Sequence, residues 1–560
     1  MALTAPPAST GSKRPVEGDG APPDAKRQTT EQVEAADPAD WMESDAWPFE
    51  PLCAELRCSL FHPRWERRHG AAAGLRSILR WHGRTAGAVG GVRKCVSAEL
   101  QAQWLEDCAI RLLCVLALDR FGDWAAGDRV TAPVRESAAQ ALAVVAQPMA
   151  AEAAASVAGA LLTMAAETMW EVRHGALLAL KYLLASRADL LGRLLPAAVP
   201  LLIDALTDDD DDVRAAAAAA LLGVAGHLRE RVPMLLPRLL GALWAALRRL
   251  DDLTASTATI MMLCARLCDE LPCAQLAAAA PPADDAAALE AVGAVEAAAM
   301  SHTAAPKVEP DVACTAPAAE AGPARGAALF AAVVPRLWPF VRHPAADARI
   351  AAMATLSKLV AAAAAADAVC AVKVDSGAQW LGWLPPLLPT AMQLLFQALL
   401  LDENTKVHAA AADAWHALLE HTPVTQLHTA ADAHLAAWLR LVATPPASTP
   451  DARLLIAFSY EEGGAHDELA AQKAAEAAAV DSDALARAAR ALGALACACA
   501  RYATDSGSGW VDGLAAALSS ASTSARQSAA WTVAEWAVQA RGPVSYTHLR
   551  AHETAPYPVC

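Results

Sequence analysis

Apolar residues recur along this chain at three- and four-residue intervals in runs of 14 to 20 residues, the period of helices with one buried face. The clearest runs come in pairs that repeat. WEVRHGALLALKYLL from Trp170 is echoed by DDVRAAAAAALLGVA from Asp211, and Arg173 and Arg214 fall in register 41 residues apart. A period of about 40 to 47 residues, with two helices per unit, predicts a HEAT or armadillo-type array. The fold class is therefore all-α: a HEAT-repeat α-solenoid, a superhelix of antiparallel helix pairs.

The same pattern extends in both directions. Trp65, Arg68, His69 and Gly70 align with Trp170, Arg173, His174 and Gly175, and PVRESAAQALAVVA from Pro133 places Arg135 one repeat before Arg173. First helices carry prolines four apart: Pro196 and Pro200, Pro233 and Pro237, Pro335 and Pro339, Pro385 and Pro389. Proline suits a first turn, whereas one four residues later removes a helical hydrogen bond and predicts a bend. Second helices are expected to begin near Asp212, Asp252, Asp347 and Lys406, the last with His408 in the arginine's place. A long helix over about 97–118 and helices near 485–501 and 525–538 complete the reading.

Composition sets the boundaries. Residues 1–46 hold almost no bulky apolar residues and read as a disordered tail; its Lys13-Arg14 and Lys26-Arg27 pairs have the spacing of a bipartite nuclear-import signal, or of chance basic pairs. Repeats are expected over 47–276. The Ala-, Pro- and acid-rich stretch 277–326 reads as a flexible insertion, and repeats resume over 327–540 with a second interruption near 461–483. Residues 541–560 lose the pattern and read as a non-native tail. The first hairpin is expected to lack the polar outer face that terminal repeats need.

Charge narrows the partners. With 45 Lys and Arg against 61 Asp and Glu, the net charge of −16 argues against phosphate-backbone binding and favours a basic protein surface. Thirteen cysteines lack framework spacing, and Cys264, Cys268 and Cys273 have no fourth ligand at zinc spacing, so reduced, mostly buried thiols are expected. No apolar leader or membrane span outside the amphipathic pattern is read.

An arginine in the first turn of a helix opposes the macrodipole, so its recurrence at Arg68, Arg135, Arg173, Arg214, Arg349 and Arg526 calls for acidic partners. Glu66, Glu171, Asp211, Asp212 and Asp347 are the expected ones, forming a structural ladder between repeats. Two turns hold more acid than capping requires: the run Asp208 to Asp212, and Asp251-Asp252. Asp208, Asp209, Asp210, Asp251 and Asp252 are accordingly the candidate partner-binding residues, on one rim, with a solvated capped turn as the alternative. Walker A, nucleophile-elbow and catalytic-triad patterns are absent, so no catalytic, cofactor or metal residue is assigned.

WPFEPLCAEL from Trp47, FHPRWERRHGAAAGLRSIL from Phe61, WLEDCAIRLLCVLALDRFGDW from Trp104, WEVRHGALLALKY from Trp170, LDDLTAST from Leu250 and PRLWPF from Pro335 together resemble the amino-terminal HEAT region of the TATA-box-binding-protein-associated ATPases, the modifier-of-transcription family. The resemblance implies a nuclear transcription regulator whose HEAT array binds TBP. It also implies that a carboxy-terminal Swi/Snf-type ATPase, using ATP, removes TBP from promoter DNA. That ATPase is not read in this chain, so the chain is expected to be a non-enzymatic part of such a protein, with no cofactor of its own, touching DNA only indirectly and no membrane. A HEAT scaffold for transport or complex assembly is the alternative.

Overall fold

The computed structural model describes residues 47–90, 92–120, 124–126, 129–247, 256–277, 323–370, 379–456, 480–500 and 508–540. Helices follow one another in pairs. α1 (Glu50–Ser59) precedes α2 (Trp65–His82), α3 (Lys94–Leu118) precedes α4 (Pro133–Ala146), α5 (Ala151–Ala165) precedes α6 (Trp170–Ser186), and α7 (Leu191–Ala205) precedes α8 (Asp211–Arg231). α9 (Leu236–Leu247) and α10 (Ser256–Glu270) follow, then a single turn, α11 (Cys273–Leu276). The later pairs are α12 (Pro323–Val333) with α13 (Ala346–Cys370), α14 (Leu384–Leu401) with α15 (Thr405–His421), α16 (Val424–Val442) with α17 (Ser482–Ala500), and α18 (Ser508–Leu518) with α19 (Thr523–Gln539).

Second helices stack in series, α2 on α4, α4 on α6, α6 on α8, α8 on α10, α10 on α13 and α13 on α15, with α17 on α19 at the far end. One apolar core runs through them from Trp47 to Trp510. Because α10 packs directly on α13, the stack continues past the 277–326 stretch instead of ending there. α12 begins at Pro323, inside that stretch, and α17 begins at Ser482, inside the second expected interruption. The remaining interiors of both, with the 1–46 and 541–560 segments, lie outside the described residues.

Where prolines stand four apart, the backbone responds locally. Pro339 has no N–H for the carbonyl of Pro335, which instead accepts from the Trp338 N–H at 3.2 Å, and two successive 3-10 turns, Val334–Leu337 and Pro339–Arg342, replace an α-helix. In α7 both Pro196 and Pro200 stay within the helix. The periodicity also misses a small antiparallel hairpin between α3 and α4, where Trp124–Ala126 pairs with Arg129–Thr131. Three-residue strands are too short to show alternation.

Two segments, Ala346–Val369 and Trp380–Leu401, are long and apolar enough to cross a membrane. In this fold their apolar faces are spent on neighbours: α13 lies between α10 and α15, and α14 packs on α15 and α17. An aromatic cluster forms at Phe396, Trp415 and Trp438, whose ring centroids are 5.5–6.3 Å apart, with Trp415 donating Nε1–H to the Ala491 carbonyl at 3.1 Å. Three indole and phenyl rings thus join α14, α15, α16 and α17.

Candidate partner-binding turns

The recurrent arginine closes the turn that precedes its own helix. In five repeats one guanidinium nitrogen, Nη1, donates to the carbonyls six and five residues upstream. Arg68 reaches His62 and Pro63 at 3.0 and 2.9 Å, Arg173 reaches Glu167 and Thr168 at 3.1 and 2.7 Å, and Arg214 reaches Asp208 and Asp209 at 2.7 and 3.1 Å. Arg349 and Arg526 do the same to residues 343–344 and 520–521. These carbonyls belong to a tight interhelical turn that has no helix of its own to satisfy them, so the arginine supplies donors where the backbone lacks them. His408 fills the same role, its Nε2 2.5 Å from the Asp402 carbonyl.

The other edge of the guanidinium reaches into the next repeat. Arg68 meets Asp119 at 2.6 Å, Arg173 meets Asp208 through two bonds of 2.8 Å, and Arg349 meets Asp402 at 2.7 Å. Of the acids expected to answer the arginines, Asp211 does so for Arg214 at 2.9 Å, but Asp119, Asp208 and Asp402 hold Arg68, Arg173 and Arg349. The difference is geometric. A side chain in the first turn projects sideways towards the neighbouring hairpin, 35–53 residues away in sequence, as well as back along its own helix. Arg135 departs from the pattern: it is fully buried, with its guanidinium 4.9 Å from the Trp170 ring and Nη1 donating to the Glu171 carbonyl at 3.4 Å.

Most of the first acidic turn is engaged within the fold. Asp208 takes Arg173 and also accepts from the Asp210 N–H at 3.0 Å; burial pushes its carboxyl up, while the Arg173 bonds and the Asp210 N–H bring it below the usual range. Asp210 caps α8 by accepting from the Val213 N–H at 3.1 Å, and is held above the usual range by burial and then by Asp208 and Asp211. Asp211 accepts from the Ser256 N–H at 3.1 Å and from its hydroxyl, tying α8 to α10. Within Asp208 to Asp212 the exposed member is Asp209. Asp251 and Asp252 lie outside the described residues.

The two His-Gly pairs separate. Gly175 is needed for close approach: a β-carbon there would sit 2.9 Å from the Leu116 carbonyl oxygen, whereas one at Gly70 would meet open space. His69 is bonded at 3.0 Å to the Pro133 carbonyl, while His174 is buried and brought down to about 3 from 6.5, by burial first and then by Arg135 and Lys181. As pH falls through 6.5 the unfolded chain takes up this proton and the folded chain does not. The stability held by the neutral ring is therefore complete above 6.5 and is lost towards 3, at about 1.4 kcal/mol per pH unit. His174→Gln is expected to flatten stability against pH by about 2 to 3 kcal/mol between about pH 6 and 4. Urea titrations across that range check this, and an unchanged slope would refute it.

Cys264, Cys268 and Cys273 are buried, and burial pushes Cys264 and Cys273 up to about 12 and Cys268 well above its ordinary value, which disfavours thiolate chemistry.

The HEAT-like repeat family matches residues 170–222, from the start of α6 through the Arg173–Asp208–Arg214 turn into α8. The chain is 33% identical over 414 residues, 74% of its length, to TATA-binding protein-associated factor 172 of Homo sapiens. It is 33% identical over 350 residues to TATA-binding protein-associated factor BTAF1 of Arabidopsis thaliana and 29% over 415 residues to TATA-binding protein-associated factor MOT1 of Saccharomyces cerevisiae. It belongs to the TATA-binding protein-associated factor family.

The chain spans 19%, 16% and 19% of the lengths of these three family members, respectively. A solved structure described as the Mot1 N-terminal domain in complex with TBP aligns with 93% of this chain and 50% of that one, with a TM-score of 0.48 and 12% identity. In this family member the arginine register was visible from spacing alone. Asp119 and Asp402 were missed because single acids at helix ends look like ordinary caps; the signal available was their recurrence in the turns, six residues before His408 in the case of Asp402.

Proposed function

We propose that this segment is a binding scaffold of a nuclear transcription regulator, with TBP as its partner and no catalysis of its own. The observation that supports this is the 33% identity over 414 residues to a protein named for association with the TATA-binding protein. ATP-driven removal of TBP from promoter DNA, which the family resemblance implies, is assigned to the longer protein. Within the segment we assign first contact to Asp209, the exposed acid of its turn, together with Asp251 and Asp252, which the sequence pattern alone proposes. Asp208 and Asp210 serve mainly to build the turn, so they act by positioning Asp209.

Exposed charges act on encounter more than on residence. The combined Asp209→Asn, Asp251→Asn and Asp252→Asn variant of the full chain is therefore expected to lower the association rate with purified TBP about tenfold at low salt and to flatten its salt dependence. Stopped-flow binding checks this. Unaltered rates would remove these residues from the interface, and no binding by a folded chain would overturn the partner.

A further inference from the structure

Positive charge is spread unevenly along this acidic chain. Residues 61–98 hold eight Lys and Arg against one acid, Glu66, whereas the whole chain holds 45 against 61. Arg68 is spent on its turn and on Asp119, and Arg64 lies 3.4 Å from Glu66. Arg76, Arg80 and Arg84 pair with no carboxylate among the described residues. Arg76 and Arg80 are four residues apart in α2, roughly 6 Å along its axis, so they share one face with Ser77 and Trp81. Arg84 follows in the 3-10 turn Gly83–Thr85. Trp81 is exposed, with the Arg80 guanidinium 5.7 Å from its ring centroid. Isolated exposed apolar residues are ordinary, but an indole among arginines that lack acid partners has the composition of a binding hot spot.

Stacking of repeats does not cover this face. Arg76, Arg80 and Trp81 stand eight, twelve and thirteen residues after the register arginine. The same positions are Lys181, Ala185 and Ser186 in α6, and Leu222, Gly226 and His227 in α8; all six are exposed or half-buried, although both helices have a packed second helix on either side. Two arginines and an indole are what set α2 apart. At its start Glu66 and Arg67 are also exposed, so the polar outer face not expected of the first hairpin is present. The end of α2 is anchored before anything binds: Phe49 lies against His82 with ring centroids 4.5 Å apart, Thr85 donates to the His82 carbonyl at 3.1 Å, and Gln101 of α3 donates to the Arg84 carbonyl. We propose that this face docks an acidic amphipathic helix of a protein partner, with carboxylates four residues apart meeting Arg76, Arg80 and Arg84 and an apolar side chain covering Trp81. Such a helix repeats at the arginines' own spacing, and the anchored platform lowers the ordering cost. A phosphate backbone fits less well, since it extends its charge beyond a face roughly 12 Å long onto a chain of net charge −16. The charge is opposite to that of the Asp209 turn, so the partner surface differs from the basic one proposed there.

The test titrates the full chain into a fluorescein-labelled, alanine-based helical peptide, with three glutamates four residues apart and leucines beside them, and reads anisotropy at low salt. Saturable binding is expected, weakened about tenfold by the combined Arg80→Glu and Arg84→Glu changes and about tenfold by Trp81→Ala, with thermal unfolding unaltered. The same peptide with lysines in place of the glutamates is expected to prefer the Arg80→Glu, Arg84→Glu chain to the parent. No saturable binding, or equal binding by these variants, would overturn the docking face. Equal binding of a peptide with its glutamates scrambled would overturn the spacing match. Tighter binding of a short mixed-sequence DNA duplex, lost on the same substitutions, would give the face to nucleic acid. Peptide binding that appears only once residues 1–46 are removed would give it to the chain's own acids between Glu31 and Asp45 and overturn an external occupant. None of these outcomes depends on TBP.

Discussion

Trp415→Ala is expected to destabilise the chain by about 4 kcal/mol, because truncating a buried indole removes its transfer energy and leaves a cavity that rigid neighbours cannot fill. Trp415 is 1% exposed, contacts the rings of Phe396 and Trp438, and bonds to Ala491 across the repeat boundary. In a quasi-one-dimensional fold the loss falls on nearest-neighbour coupling. Urea unfolding should therefore lose cooperativity, with α16 to α19 unfolding before α2 to α10. Trp81, 78% exposed, is the control: Trp81→Ala should shift stability by no more than about 0.5 kcal/mol. A single unshifted transition for Trp415→Ala would show that the aromatic cluster does not couple the repeats.

Asp208→Ala is expected to destabilise the chain by about 3 kcal/mol, whereas Asp209→Asn, one residue away, should change stability by less than about 0.5 kcal/mol. The side chains of Asp208 and Arg173 are only 12% and 20% exposed, so removing the acid strands a guanidinium between repeats and also removes the acceptor of the Asp210 N–H. The two carbonyls that Arg173 keeps limit the loss. A double-mutant cycle with Arg173→Ala isolates the pair, and a coupling of about 1 to 3 kcal/mol is expected. Coupling near zero would mean that Asp208 acts only through its turn. The contrast also separates roles: an Asp208 variant that weakens partner binding does so through loss of the turn, an Asp209 variant through the surface.

The repeat period, the helix starts at Pro133, Trp170 and Asp211, and the place of each arginine were legible in the sequence because they are local. Helical spacing, capping and the first-turn position are set by residues within one or two turns of one another, and the 41-residue echo between Arg173 and Arg214 needs no neighbour to be seen. Composition likewise sets 277–326 apart as poor in the apolar weight that a core demands, although α12 begins inside it at Pro323. What required the tertiary structure was every relation across a repeat boundary. Asp208 is one of five consecutive aspartates, and only packing of α6 on α8 makes it, and not Asp209, the partner of Arg173. Ala530 and Val533 read as core residues by period, and only the absence, among the described residues, of a helix packed on their side of α19 leaves them exposed. Periodicity states which face of a helix is apolar; which neighbour covers that face, and which carboxylate reaches its arginine, depends on the superhelical rise that sets adjacent hairpins against each other.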